Sequence, residues 1–348
     1  MRNGFHTRAG VLAVLLAGLG LLLVPAGASA ASATCFGKKA TQVGSNYSRK
    51  LVAKPHAVVD ARGGNDKIIV ARGDQTKHVI CGGPGNDTIK DRNGNDVLVG
   101  GPGDDAIYGK HGADVIIGDN ANPNGDESEA TGSDYLVGGT NRDFMVGDNY
   151  ASGNATGASQ DRRLVGNVGN DTLVGDSVST GGDATGGAAD HLEGAAGDDL
   201  VIGDSDATFG TASGGGNDEV NGGPGVDLQV GDSYTQIGMA TGSGDDKIHG
   251  ADGGDAGATC AADQCDDAFY GDNYAASCGT RWVSCDKTSG GGIDLLTTDQ
   301  GNDFLNGGPL DDPALRGHGD KCAGGSGQDT ATRCEYVYDD VESVLPYP

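Results

Sequence analysis

The sequence has few aromatic, proline and basic residues. Aromatic residues make up 5% of the 348 residues and only 10 are proline, whereas 65 are glycine. Collagen combines frequent proline with glycine at every third position, so the lack of both excludes a collagen-like chain. Lys and Arg number 23 against 50 Asp and Glu, which gives a net charge of −27. An acidic chain repels nucleic acid and anionic membranes, so we expect cations, and neither of those, as partners.

Long apolar runs are also missing, except at the amino terminus. Arg2 and Arg8 precede an apolar run over residues 11–24, and Ala28-Ser29-Ala30 follows as a small-residue cleavage site. The run is shorter than the about 20 residues that cross a bilayer, so residues 1–30 are predicted to be a secretion signal peptide. The mature chain then loses two basic residues and no acidic ones, which gives −29. We expect a secreted, extracellular protein without a membrane span.

Eight cysteines follow the predicted signal peptide. In an exported chain an even number favours disulfide bonds over thiolate metal sites. Nearness in sequence suggests the pairs Cys35–Cys81, Cys260–Cys265, Cys278–Cys285 and Cys322–Cys334. The first and last pairs are predicted to tie the two ends of the fold.

From residue 82 the sequence repeats every nine residues. GGPGNDTIK over residues 82–90 is followed by a unit that ends at Val99, and GGPGDDAIY begins the next unit at Gly100. Each unit has glycine at or near positions one, two and four, aspartate at position six and an aliphatic residue at position eight. The side chains at position eight are predicted to point inward from short strands: Ile89, Leu98, Ile107 and Ile116.

This nonapeptide resembles the repeat of the hemolysin-type calcium-binding (RTX) family, over about residues 61–334. The resemblance implies an all-β fold, a right-handed parallel β-roll (solenoid) of GGxGxDxUx repeats with disulfide-tied ends. It also implies several bound Ca²⁺ ions as cofactors. The predicted metal ligands are the sixth-position aspartates: Asp66, Asp87, Asp96, Asp105, Asp114, Asp134, Asp143, Asp171, Asp190, Asp199, Asp218, Asp227, Asp246, Asp267, Asp294, Asp303, Asp320 and Asp329.

Stacked coils bring these aspartates into columns. Parallel strands lie about 4.8 Å apart, and two unit charges at about 5 Å repel by roughly 3 kcal/mol at an effective dielectric constant of about 20. Cations between the coils turn this repulsion into attraction. Carboxylate and carbonyl oxygens suit Ca²⁺, whereas Mg²⁺ requires a tighter octahedron. One inward aliphatic residue per repeat offsets too little of the ordering cost, about 1.5 kcal/mol per residue, so we expect Ca²⁺ binding and folding to be coupled.

A longer period begins after residue 118. GDN or GDS triplets recur with one coil plus about ten inserted residues between them, so the inserted loops, over residues 119–290, are predicted to emerge from one edge. The triplet aspartates form a second column, for which two interpretations are open: cation binding, or a left-handed backbone that Asp tolerates. These aspartates are Asp119, Asp148, Asp176, Asp204, Asp232 and Asp272.

Several positions depart from the repeat. Asp161 is predicted to lie one residue out of register, with Arg162 at position six, and Gln229 stands at an inward aliphatic position. Residues 309–319 break the phase. We expect residues 31–60 to form an N-terminal capping segment, residues 61–334 to form the roll, and residues 335–348 to form a C-terminal tail or cap.

The predicted function is extracellular calcium binding that drives folding. The alternative is a calcium-dependent adhesin or ligand-binding protein that contacts a cell-surface or extracellular ligand through the loop-bearing edge. Aromatic residues among the small residues of the loops suggest ligand contact or, in the other interpretation, packing over the coil: Tyr150, Tyr234, Tyr274 and Trp282.

An enzymatic activity is not predicted. No HExxH motif occurs, and the seven histidines are scattered. The Gly-Asp-Ser triplets at 175, 203 and 231 resemble the start of a hydrolase block, but they recur in step with the coil. A serine triad also requires a placed histidine and an acid, which we cannot assign.

Overall fold

A computed structural model describes residues 33–127, 132–242 and 244–250. It also describes short segments further on: 268–270, 274–275, 288–289, 295–297, 304–306, 321–323, 329–332, 334, 336–337 and 341–345. The predicted signal peptide and the phase break at 309–319 lie outside the described residues. The described part of the chain contains strands and turns but no helix, and thus no apolar helix of membrane-spanning length.

Two parallel sheets form the body of the molecule. Each coil adds one strand to sheet I, turns, adds one strand to sheet II and turns back. Where no loop is inserted in the nonapeptide repeats, paired residues are two nonapeptides apart, so that Ile89 pairs with Ile107 and Leu98 pairs with Ile116. The predicted parallel β-roll is therefore confirmed.

The strands of sheet I are Lys50–Ala53, Lys67–Val70, Thr88–Lys90, Ala106–His111, Tyr135–Thr140, Arg163–Val168, His191–Ala196, Glu219–Asn221, Lys247–His249, Leu295–Thr297, Lys321–Ala323 and Tyr336–Val337. The strands of sheet II are Gln42–Val43, Val58–Asp60, Val79–Cys81, Val97–Val99, Val115–Ile117, Phe144–Val146, Thr172–Val174, Leu200–Ile202, Leu228–Val230, Ala268–Tyr270, Phe304–Asn306, Asp329–Thr332 and Val341–Leu345.

The core lies between the two sheets. The position-eight residues Ile89, Leu98, Ile107 and Ile116 are all fully buried there, as predicted. Because successive strand residues face opposite sides, the next residue in sheet II points away from this core. Ile117 is nevertheless also fully buried, in a second apolar cluster. Sheet II is thus covered on both faces.

The inserted loops build a third parallel sheet, the loop sheet, which the sequence analysis did not predict. Its residues contribute to the second apolar cluster through Val178 and Tyr234. Its strands are Ala121–Asn122, Tyr150–Ala151, Ala155–Thr156, Val178–Ser179, Ala184–Thr185, Asp206–Ser213, Tyr234–Thr241, Tyr274–Ala275 and Thr288–Ser289. Insertions of similar length at one phase of the coil stack on each other just as the coils do.

Disulfide bonds lie near both ends of the roll. A short antiparallel hairpin, Thr34–Cys35 with Lys38–Lys39, precedes the coils, and residues 42–60 already contribute strands to both sheets. Cys35 bonds to Cys81 and Cys322 bonds to Cys334, with Cα atoms 5.7 and 6.1 Å apart. These two predicted pairs are confirmed, whereas the four predicted partners between them, Cys260, Cys265, Cys278 and Cys285, lie outside the described residues.

Replacing the buried Gln229 with leucine is predicted to stabilise the roll. Gln229 is 0% exposed, pairs with Val201 in sheet II, and neither polar atom of its side chain has a hydrogen-bond partner. An unsatisfied buried polar group costs about 1–3 kcal/mol, so Gln229→Leu should raise the free energy of unfolding by a similar amount. Denaturant unfolding at fixed ionic conditions measures this. Gln75→Leu, at an exposed position, is the control, and equal effects of the two changes would contradict the prediction.

Candidate metal centre

Aspartates at position six form a continuous hydrogen-bonded column along one edge. We call this the closed edge: it comprises the turns from sheet I to sheet II. The backbone N–H of each described member before the last donates to Oδ1 of the aspartate one coil further on, for example from Asp143 to Asp171 at 2.7 Å. The described members are His78, Asp96, Asp114, Asp143, Asp171, Asp199 and Asp227.

A second column of the same kind runs along the opposite, loop-bearing edge, where the turns lead from sheet II back to sheet I. Its described members are Asp66, Asp87, Asp105, Asp134, Asp161, Asp190, Asp218 and Asp246. The two columns contain every predicted ligand whose side chain the structure describes. Outside the described part lie Asp267, Asp294, Asp303 and Asp320, and the side chain of Asp329.

Asp161 is a full member of the second column, so the prediction that it is out of register is wrong. Its Oδ1 accepts the N–H of Asp134 at 2.8 Å, and its own N–H donates to Asp190 at 2.7 Å. The extra residue is absorbed just after Asp161, because the N–H groups of Arg162 and Arg163 both approach the Asp134 carbonyl, at 2.8 and 3.4 Å. A bulge of this kind inserts a residue while the ladder on either side is kept.

In most turns the second carboxylate oxygen of the ladder aspartate lies close to the first glycine of that turn. A Cβ placed on Gly166 would lie 2.5 Å from Asp171 Oδ2 and 2.6 Å from the carbonyl oxygen of Gly194. A Cβ on Gly194 would lie 2.5 Å from Asp199 Oδ2 and 2.7 Å from the carbonyl oxygen of the next first glycine. A carboxylate oxygen and a carbonyl oxygen of the next coil thus both lie beside the first glycine, where a Cβ would clash with them.

These Oδ2 atoms are buried and receive no hydrogen bond. The residues concerned are at most 4% exposed: Asp66, Asp87, Asp96, Asp105, Asp114, Asp143, Asp161, Asp171, Asp190, Asp199 and Asp218. A buried carboxylate oxygen without a partner is costly unless a cation or a proton compensates it. Carboxylate and carbonyl oxygens together are the hard donor set that Ca²⁺ takes. The residues present therefore fit a file of calcium ions along each edge.

The pKa values of the ladder carboxyl groups reflect the same burial. Burial, reinforced by the charge of neighbouring carboxylates, raises the pKa of Asp87 to about 7, of Asp143 to about 8 and of Asp105 to about 9. At Asp161, burial and then the charges of Asp190 and Asp134 raise the pKa well above its usual range. A fully ionised ladder is thus unfavourable by itself at neutral pH.

The triplet aspartates close the bases of the inserted loops. Asp148, Asp176 and Asp204 are fully buried, and their carboxylates accept the N–H groups of Ser159 at 2.9 Å, Ala188 at 3.1 Å and Gly216 at 3.1 Å, respectively. None of the described members, which include Asp119 and Asp232, has a positive φ. The left-handed interpretation is therefore wrong for them, and Asp272 lies outside the described residues.

Two of the loop aromatic residues pack against the coil. Tyr150 contacts Phe36 and Phe144 at ring-centroid distances of 5.8 and 6.3 Å, and Tyr234 is 8% exposed within the second apolar cluster. The packing interpretation is confirmed for both. The side chain of Tyr274 and all of Trp282 lie outside the described residues.

The triplet serines belong to the loop bases as well. Ser177 is fully buried, and its hydroxyl group donates to the Gly157 carbonyl at 3.1 Å. Ser205 makes the corresponding contact with Gly186 at 3.5 Å. These hydroxyl groups thus form hydrogen bonds that recur from loop to loop and stabilise the loop bases.

Two residues at the start of the closed-edge column, His78 and Asp91, were not predicted from the sequence. His78, Asp91 and Asp96 are all buried, and one ligand atom from each lies within 4.8 Å of the others. Burial and the Asp96 carboxyl group raise the pKa of Asp91 to about 9. The sequence signals were available, since His78 precedes Asp96 by two nonapeptides and Asp91 stands where the repeat has its first glycine.

Comparison with known families agrees with this geometry. The model of the RTX calcium-binding nonapeptide repeat, described as four copies, matches residues 82–116, 163–177, 184–208, 213–229 and 288–312. No curated protein and no solved structure matches the chain. The matched segments carry members of both aspartate columns, so the resemblance inferred from the spacing of glycine and aspartate is confirmed.

Acid is predicted to stabilise the cation-free roll. The ladder pKa values are raised in the folded state, from about 6 at Asp171 to about 9 at Asp105. The folded chain therefore binds more protons than the unfolded chain, and this stabilisation is lost as the pH rises through that range. In cation-free buffer, the far-UV circular dichroism β signal should grow as the pH falls from about 8 to about 5.

In the presence of Ca²⁺, lowering the pH should instead oppose formation of the β signal, because protons compete with Ca²⁺ for the same carboxylates. The calcium concentration for half-maximal β signal should therefore rise as the pH falls. A cation-free signal that is constant with pH, or that decreases on acidification, would contradict the raised pKa values.

Proposed function

The chain carries RTX calcium-binding nonapeptide repeats, and we propose that it is an extracellular protein whose folding is driven by Ca²⁺ held between stacked turns. The observation that carries this proposal is the convergence of Oδ2 and a carbonyl oxygen on the first glycine of successive turns, as at Gly166 and Gly194. Two oxygens of hard-ligand type meet there, one from each of two neighbouring coils. An ion bound by both of these oxygens would link coil to coil.

Coupling of folding to calcium rests on the composition of the interior. In the central coils each nonapeptide contributes one residue to the core between the sheets, such as Leu164 and Leu173. The same coil buries two ladder carboxylates, here Asp161 and Asp171. Apolar burial of this extent has to offset both the ordering of glycine-rich turns and the desolvation of charge. Ligand binding to the folded state alone adds the missing stability.

An extracellular setting is supported by the disulfide bonds Cys35–Cys81 and Cys322–Cys334, since disulfides persist in oxidising compartments. The predicted signal peptide over residues 1–30 also supports export, because a segment of this kind directs a chain to secretion. Calcium is plentiful outside cells, and extracellular modules bind it with dissociation constants of about 10⁻⁴–10⁻³ M. The chain is proposed to be unfolded where calcium is scarce and to become rigid after export.

A calcium titration tests this proposal. The mature chain, with its disulfides intact, is freed of cations at about pH 7.5 and titrated with Ca²⁺ or Mg²⁺ while far-UV circular dichroism is recorded. We expect a cooperative gain of β signal with Ca²⁺ and a much smaller response to Mg²⁺. A spectrum that is already β-rich without cations would overturn the folding role.

Asp199→Asn and Asp198→Asn form a matched pair for the titration. Asp199 is a buried ladder member, whereas its neighbour Asp198 is exposed. Each change replaces a charged carboxylate by a neutral amide. The amide oxygen can still accept the hydrogen bond that the carboxylate accepted. Asp199→Asn should raise the half-maximal calcium concentration about tenfold, or ~1.4 kcal/mol, and Asp198→Asn should change it little. Equal shifts would indicate a general effect of net charge and no ladder site.

A second candidate function is calcium-dependent adhesion through the loop sheet. Phe209, Ile237 and Met239 are each more than half exposed, at 51, 56 and 51%, and Phe209 pairs with Ile237 on adjacent strands. Exposed apolar side chains grouped on a polar scaffold are typical of interaction surfaces.

Removing the apolar side chains tests adhesion separately from folding. The double change Phe209→Ser and Ile237→Ser should leave the calcium titration unchanged and reduce calcium-dependent retention of the protein on the surface of the cells that export it. Unchanged retention would contradict the adhesin proposal and leave the calcium proposal intact.

A further inference from the structure

The closed-edge column begins with a turn that departs from the repeat in two places. His78 takes the ladder position that aspartate occupies in the following coils, because its backbone N–H donates to Asp96 Oδ1. One coil further on, Asp91 stands at the place of the first glycine, whose lack of a Cβ defines the oxygen site in other turns. His78 and Asp91 thus each bring a side chain that can bind a metal to the same place in the column.

The two added side chains meet in a buried cluster. His78 is 0% exposed, Asp91 2% and Asp96 1%, and one ligand atom from each lies within 4.8 Å of the others. His78 Nδ1 lies 3.3 Å from Asp96 Oδ1 but makes no hydrogen bond, and both oxygens of Asp91 lack a hydrogen-bond donor. The buried imidazole nitrogen is thus within ion-pair distance of one carboxylate, and the buried carboxylate of Asp91 beside it receives no hydrogen bond.

The far side of the imidazole is held by polar groups. His78 Nε2 lies 3.5 Å from Asp74 Oδ2 and 3.4 Å from Thr76 Oγ1. Histidine ligands usually donate their other ring N–H to a carboxylate, which fixes the tautomer and turns the free nitrogen towards the metal. Asp74 is placed to do this, so that Nδ1 is the nitrogen presented to Asp91 and Asp96.

We propose that His78, Asp91 and Asp96 bind one divalent transition-metal ion of the Zn²⁺ or Mn²⁺ class at the N-terminal end of the closed-edge column, where Asp96 binds this ion in place of calcium. Calcium takes oxygen ligands in groups of six to eight, and an imidazole nitrogen with two carboxylates suits Zn²⁺ and its neighbours better. The proposal does not depend on calcium-driven folding, because two of its three ligands, His78 and Asp91, are side chains that the repeat lacks. Asp74 is a positioning residue in this site.

Binding is tested on the full mature chain without a histidine tag, in saturating Ca²⁺. Isothermal titration with Zn²⁺ and visible absorption with Co²⁺ report the site, since Co²⁺ bound to nitrogen and oxygen ligands absorbs visible light whereas Zn²⁺ and Ca²⁺ do not. We expect one equivalent to bind and Co²⁺ to be displaced by Zn²⁺. No saturable binding of either ion in the presence of Ca²⁺ would overturn the proposal.

Three variants locate the site. His78→Asp and Asp91→Gly each restore the residue that the repeat has at that position, so both should fold in Ca²⁺, and each should weaken Zn²⁺ binding by at least about tenfold. His56→Asp changes an exposed histidine and should bind as the unmodified chain does. Binding unaffected by His78→Asp, or lost equally in His56→Asp, would refute this assignment. Circular dichroism of the same samples shows separately whether calcium-dependent folding has failed.

Discussion

Burial of one carboxylate per turn at the spacing of parallel strands is the constraint on which the rest of this molecule depends. The coils repeat, so any side chain that enters the turn is repeated one strand spacing away, and like charges are stacked on like charges. Each ladder aspartate satisfies one oxygen through a backbone N–H of the preceding coil, as from Asp143 to Asp171. The other oxygen, as in Asp171, has no such donor. Hydrogen bonding thus fixes the register of the columns, and it leaves half of each carboxylate for a cation.

Glycine at the first position of the turn follows from the same constraint. A side chain at Gly166 or Gly194 would clash with Oδ2 of the ladder aspartate and with the carbonyl oxygen of the next coil. The repeat therefore has glycine at the first position of the turn as well as aspartate at the sixth. Asp91 is the informative exception: a longer acidic side chain stands at this position where the neighbouring ladder residue is His78. The two changes occur in adjacent coils: an imidazole stands in place of a ladder carboxylate, and a carboxylate stands in place of a glycine hydrogen.

Much of the roll was predictable, because its features are periodic in the sequence. Inward residues such as Ile89 and the aspartate columns follow from the nine-residue spacing, and two disulfide bonds follow from nearness in the chain. Asp161 was misassigned because a strict count cannot anticipate a bulge that restores register within one residue. The loop sheet was missed because most of its strands, such as Tyr150–Ala151, have two residues, too few for a pattern, and form only by pairing with the next loop. His78 and Asp91 were missed because a search for repeated residues passes over the positions where the repeat is broken.

The ends of the stack show why covalent bonds accompany the metal sites. A coil inside the roll has a neighbour on each side, whereas a terminal coil has one, so a quasi-one-dimensional stack frays from its ends. The bond between Cys35 and Cys81 joins the N-terminal hairpin to sheet II across 46 residues, a loop whose closure removes about 4 kcal/mol of chain entropy from the unfolded state. This stabilisation does not depend on cation concentration. The disulfides therefore stabilise the ends of the stack, and the proposed calcium ions would act on the interior coils, where each ladder carboxylate lies between two others.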